Sequence, residues 1–210
     1  FHESCNSLER VHLGAVTTGF DHFTSQLNTK QRYFPILESL SIAGSILDDQ
    51  SIDNFIIFVR NSKDLKELDL SSTNISPTQL SRIIEAINEN QEIKIFSLHL
   101  NNLGLKDGKI KTVFKSLSDK SNHMKWKALS LENNGLSCKD FNLLIQILGT
   151  LPNLTTLNIG MNFDDKTKDI EQYLPNVLTL PRLEKLSLRG SKEKCLTVRI
   201  ISAFVAALIK

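Results

Sequence analysis

Metal or nucleophilic chemistry needs particular side chains brought together, so the histidines, cysteines and stray arginines come first. A zinc ion takes His, Cys or carboxylate ligands at about 2 Å, and a nucleophile needs a base within hydrogen-bond reach. The five histidines are spread along the chain, and the three cysteines (Cys5, Cys138, Cys195) are far apart with no C-x-x-C. No P-loop, G-x-G-x-x-G, H-E-x-x-H or G-x-S-x-G occurs in the 210 residues. These absences give no enzyme, cofactor or metal reading.

Bulk charge gives little more. The net charge of +2 is too small to indicate nucleic acid or a membrane surface. One stretch is strongly basic: seven lysines from Lys106 to Lys127 against Asp107 and Asp119, a balance of +5. Ile110, Val113, Phe114 and Leu117 form an apolar face within it, so Lys109, Lys111 and Lys115 are expected on a solvated side. An acidic protein or anionic lipid is the weaker reading. The odd, scattered cysteines suggest reduced thiols and a cytoplasmic setting, against which Asn74-Ile-Ser76 and Asn153-Leu-Thr155 fit the glycosylation sequon. No signal-peptide pattern is read, and the longest apolar run, Ile200 to Ile209, is too short to span a bilayer.

What organises the chain is a repeat. Residues 65–75, LKELDLSSTNI, place apolar side chains at Leu65, Leu68, Leu70 and Ile75, with Thr73 where a small polar group is wanted. The same core recurs as Leu8-Val11-Leu13, Leu37-Leu40-Ile42, Ile95-Leu98-Leu100, Trp126-Leu129-Leu131, Leu154-Leu157-Ile159 and Leu183-Leu186-Leu188, in steps of 29, 28, 30, 31, 28 and 29 residues. That is the strand-and-turn spacing of a leucine-rich repeat at the long end of its range. Trp126, at a first core position, is expected in the core and not on a ligand platform.

Between these strands the apolar period changes from two to about 3.6. Ile52, Phe55, Ile56 and Val59 recur at helical spacing, as do Leu80, Ile83, Ile84 and Ile87. Phe141, Leu144, Ile145 and Leu148, then Ile170, Tyr173, Leu174 and Val177, repeat the pattern, the last interrupted by Pro175. Ser76-Pro77-Thr78-Gln79 carries a capping serine, a first-turn proline and a glutamine able to reach back. The first repeat has a helix on Phe20, Phe23 and Leu27, and the turn after Asn162 is extended through Lys168.

The expected fold is therefore α/β: a right-handed leucine-rich-repeat solenoid, a horseshoe with a parallel concave sheet and convex helices. Residues 1–210 read as one domain of about seven repeats. Each unit buries its apolar edge only against a neighbour, and at about 4.8 Å per strand seven strands make a face roughly 30 Å long. The chain starts without methionine and stops on an apolar helix, so it is expected to be a piece of a longer solenoid.

Residues between the core positions are expected to face the concave side. They are Arg10 and His12; Ser39 and Ser41; Glu67, Asp69 and Ser71; Ser97, His99 and Asn101; Ser130 and Glu132; Thr156 and Asn158; Lys185, Ser187 and Arg189. The face is small and polar, acidic in the middle and basic toward both ends. His12 and His99 would lie about 14 Å apart, three strand spacings, too far to share a metal. Glu67, Asp69, Ser97, His99, Asn101, Glu132, Asn158, Lys185 and Arg189 are the candidate partner-binding residues.

The residue choices within the repeats carry a resemblance. LDLSSTNISPTQL at 68–80, SLHLNNLGLKDG at 97–108, LSLENNGLS at 129–137 and LNIGMNFDD at 157–165 together resemble consecutive repeats of the CARMIL family, linkers of actin capping protein and myosin I. The most specific part is the turn Gly160-Met161-Asn162-Phe163, followed by an extended linker and LSLRGS at 186–191. The resemblance implies a cytoplasmic, cytoskeletal or cortical scaffold. It also implies a lipid-binding domain before the repeats, a dimerisation segment after them and a capping-protein motif in a disordered tail. None of those pieces is in this sequence, so any membrane contact would come from outside it and no capping-protein contact residue carries over. The chain departs from a strict asparagine ladder: those positions read Val16, Ser45, Thr73, Leu103, Asn134, Asn162 and Ser191. Two rival readings remain. A ligand-sensing or inhibitor-type repeat domain would want aromatic or arginine anchors on the concave face; a GTPase-activating repeat protein could use Arg189.

Overall fold

Each aliphatic triplet becomes a strand too short to be stable alone, and the stack supplies what it lacks. In this computed structural model, which describes residues 8–29, 36–118, 125–163, 170–190 and 196–209, seven parallel strands form one sheet in chain order. They are β1 (Arg10–His12), β2 (Ser39–Ser41), β3 (Glu67–Asp69), β4 (Phe96–His99), β5 (Trp126–Ser130), β6 (Thr156–Asn158) and β7 (Lys185–Ser187). Val11, Leu40, Leu68, Leu98, Leu129, Leu157 and Leu186 are successive partners across the whole sheet.

Parallel neighbours need a crossover, here helical. The helices are α1 (Phe20–Thr29), α2 (Asp49–Asn61), α3 (Pro77–Glu89), α4 (Ile110–Leu117), α5 (Cys138–Leu148), α6 (Ile170–Tyr173) and α7 (Val198–Leu208). Pro175 has the effect expected of it: after one α turn the chain tightens into a 3-10 segment, Leu174–Thr179. The core lies between sheet and helices, where the central leucines of β2 to β6 meet Phe55, Ile84, Phe114 and Phe141, all nearly inaccessible. Trp126 is buried there, edge-on to Phe96 at 6.0 Å. The Ser76 cap forms as read: its Oγ accepts from Gln79 N–H, and Gln79 Oε1 accepts from Ser76 N–H. Ser137 and Asp140 repeat that box at the start of α5.

The turns leaving β1 to β6 share a second regularity that no residue type announces. Ala15, Gly44, Ser72, Asn102, Asn133 and Met161 all have φ between 53° and 75°. Each donates its backbone N–H to the next repeat, at Ala43, Ser71, Asn101, Glu132, Gly160 and Arg189 respectively. A left-handed residue other than glycine costs about 1 kcal/mol, offset here by a hydrogen bond in every layer.

Three sequence expectations are corrected. Ile95 was expected in the core of the fourth repeat but is 54% exposed. Phe96 takes its place, because the β4–β5 register shifts between Phe96 and Ser97. Leu8 is 40% exposed, with no described layer on its outer side. Lys125, counted within a solvated lysine stretch, is buried. Its Nζ donates to the carbonyls of Ile87, Asn88 and Asn90, capping the C-terminal end of α3. Lys109, Lys111 and Lys115 are exposed as expected. The side chain of Leu27, together with Cys5, Cys195, Ser191 and residues 164–169, lies outside what the structure describes.

Candidate partner-binding face

The strand register sorts the polar side chains of the concave side into rows. One runs Arg10, Ser39, Glu67, Ser97, Ala128, Thr156, Lys185, and the next His12, Ser41, Asp69, His99, Ser130, Asn158, Ser187. The turn hydrogen bonds extend a third through Ser71, Asn101, Glu132, Gly160 and Arg189. The nine candidate residues thus share one continuous surface. Three neighbours expected to face solvent, Ser41, Ser71 and Ser130, are instead buried between larger side chains.

The rows are bonded to one another. Ser41 Oγ donates to Asp69 Oδ2 at 3.2 Å, and Asp69 Oδ1 accepts from Ser71 N–H. His99 Nε2 lies 3.2 Å from Glu67 Oε1. Asn101 Oδ1 accepts from both Ser130 Oγ (2.7 Å) and the Glu132 N–H (2.8 Å). Asn158 Nδ2 donates to Glu132 Oε2 at 2.8 Å, and Arg189 pairs with the other carboxylate oxygen. Gly160 lies between these two residues in the row and carries no side chain. The turns also come close there: a Cβ on Gly160 would meet the Arg189 backbone carbonyl at 2.9 Å, so that backbone approach requires glycine. Sequence reading had the residues of this cluster but not the gap at Gly160 that joins them.

Burial alone would push the Glu132 carboxyl up, but donation from Asn158 and Arg189, with the arginine's charge, takes it below its ordinary 4.5. A carboxyl lowered on folding contributes stability above its unfolded value, and that contribution is lost as pH falls through the folded value. Glu132→Gln is therefore expected to cost about 1 kcal/mol at neutral pH. Its urea midpoint should fall less steeply than the parent's below pH 4.5. Parallel acid limbs in the two proteins would contradict this assignment.

The ladder positions explain the missing asparagines. Asn134 Oδ1 accepts from Leu103 N–H, and Asn162 Oδ1 accepts from Asn134 N–H. Where the ladder residue is Thr73, its hydroxyl serves Leu70 O of its own turn, and Asn74, one position on, takes both backbone groups of Leu47. Ser45 Oγ accepts from Val16 N–H. The sequon residue Asn74 is thus engaged in the turn, and Asn153 accepts from Arg182.

Beside the first row, at the starting edge of the strands, lies an open cleft of about 530 Å³ around β2 to β5. Its wall mixes five basic side chains with the four carboxylates of Glu38, Asp64, Glu67 and Glu92, and Ile95 is exposed among them. Among the described residues no group of three or more His, Cys, Asp or Glu side chains is placed to hold a metal ion. His12 and His99 are separated in their row by Ser41 and Asp69. No helix among the described residues is long and apolar enough to cross a membrane. Cys138, at the start of α5, is half-buried.

No family model matches the sequence. Among solved structures the chain is similar to a tropomodulin C-terminal domain from Caenorhabditis elegans, at 11% identity, covering 82% of this chain and 84% of that one, with a TM-score of 0.44. A likeness of that size says nothing about what this chain binds.

Proposed function

We propose that this chain is a non-enzymatic scaffold whose concave face takes a protein partner, within a CARMIL-like regulator of actin filament capping and assembly at the cytoskeleton or cortex. The observation that carries it is the continuity of the polar rows: one surface across seven strands, its side chains bonded to one another so that little ordering remains to be done on binding. The resemblance of the repeats at 68–165 supports the actin setting. The rival use of Arg189 as a catalytic arginine is disfavoured, because Glu132 already holds its guanidinium.

The test is capture of purified actin-regulatory proteins by the immobilised chain. The double variant His99→Ala with Lys185→Glu is expected to weaken capture about tenfold while the chain still folds. Lys111→Glu on the convex side should leave capture unchanged. Loss with Lys111→Glu alone would move the binding surface to the helices. Strong retention of capping protein would contradict placing that activity outside this chain.

A further inference from the structure

The last layer of the stack shows a face that earlier layers cover. Among the described residues β7 pairs only with β6. Leu183, Leu186 and Leu188 are accordingly half-buried, whereas Leu154, Leu157 and Ile159, one layer earlier, are fully buried. Helix α7 repeats this beside the sheet. Apart from Arg199 and Ser202 it is apolar all round, the composition of a helix covered on both sides.

The interface between earlier helices says what covers such a face. By apolar spacing Ile200 answers to Leu80, Phe204 to Ile84 and Ala207 to Ile87. The residues one place on in α3, Ser81, Glu85 and Asn88, all bond to α4. Ser81 Oγ donates to Thr112 O at 3.1 Å, and Ser116 Oγ donates to Glu85 Oε1 at 3.2 Å. Asn88 Nδ2 donates to Ser116 O at 2.9 Å. In α2 the first and last of these positions, Asp53 and Arg60, pair with Arg82 and Glu89 of α3. In α7 the same three positions are Ile201, Val205 and Leu208, between 44% and 60% exposed. Where the earlier contacts are polar, α7 offers only aliphatic side chains.

We propose that the β7–α7 face docks one further strand–helix layer that continues the solenoid in the same chain direction, its helix meeting α7 through aliphatic side chains. They stand at the positions of Thr112 and Ser116, the residues through which α4 contacts these places on α3. A second copy of the chain does not fit. All six strand pairs are parallel, whereas a two-fold pair of β7 edges would be antiparallel. A head-to-tail copy would bring α1, whose residues in the register of Thr112 and Ser116 are the polar His22 and Gln26. This surface is separate from the concave rows, so its test and the capture test above fail independently.

The probe is a layer taken from the chain itself. Residues 90–118, which follow α3 and fold as β4 and α4, are appended after Lys210, once unaltered and once with Thr112→Leu and Ser116→Leu in the appended copy. The leucine-bearing extension is expected to raise the urea midpoint and slow amide exchange in α7 about tenfold; the unaltered one should give a smaller gain in both. Ile201→Ser, Val205→Glu and Leu208→Asn together, all at exposed positions, should abolish the gain with the circular dichroism of the unextended chain unchanged. Equal gains from the two extensions, a gain from neither, or a gain that survives the triple variant overturns the proposal. A dimer of the unextended chain in light scattering that the triple variant abolishes also overturns it, by giving the face to a second copy.

Discussion

Asn162→Ala is expected to lower the stability of the chain by about 3 kcal/mol. The amide is buried, 6% exposed, and bridges two repeats. Its Oδ1 accepts from Asn134 N–H at 2.8 Å, and its Nδ2 donates to Leu131 O, Ile159 O and Gly160 O at 2.8, 2.9 and 3.2 Å. Alanine leaves an interior N–H and several carbonyls unpaired where water is excluded, the costly half of hydrogen-bond energetics. Asn162→Asp restores the acceptor but sets a carboxylate against the same carbonyls, so it should be no better at neutral pH. Gln146→Ala, on the exposed side of α5, should stay within about 0.5 kcal/mol of the parent. Urea midpoints decide it: equal costs for Asn162→Ala and Gln146→Ala would mean the turn ladder is not what locks adjacent repeats.

Lys125→Met should cost about 2 kcal/mol or more, although methionine is long enough to fill the same volume. The ammonium closes the end of α3 by donating to the carbonyls of Ile87, Asn88 and Asn90. Burial pushes this lysine below its ordinary 10.5, and the neighbouring Lys94 pushes it the same way. Between that lowered folded value and 10.5 the unfolded chain holds more protons than the folded one. This group's contribution therefore rises with pH across that window. The parent's alkaline stability profile should show that rise, and Lys125→Met should lack it. A variant as stable as the parent, with the same alkaline profile, would mean α3 is capped by other groups.

These two residues mark where sequence reading succeeds and where it stops. The period near 29 residues was legible because a buried leucine must recur at each layer, and the helices because Leu80, Ile83, Ile84 and Ile87 can share one face only at 3.6 residues per turn. Asn134 and Asn162 sit at positions where an amide serves both a donor and an acceptor, which spacing alone exposes. Lys125 was not legible: lysine is usually solvated, and only the folded end of α3 shows three carbonyls awaiting it. Ile95 misled for a related reason, since the spacing from Leu98 fits the repeat while a register shift lets Phe96 claim the layer. On the concave face, alternation located all nine candidate residues. That Arg189 crosses two strands to Glu132, and that the turns at Gly160 and Arg189 approach closely enough to require glycine, leaves no trace in a hydrophobic pattern.

The most direct test of the account is covalent side-chain footprinting of the chain, free and with a captured protein partner bound. If the concave rows carry the binding, labelling of His99, Glu67 and Lys185 falls on binding while the convex Lys111 and Lys115 are labelled as before. Shielding of those convex lysines, with His99 and Lys185 left open, would contradict it.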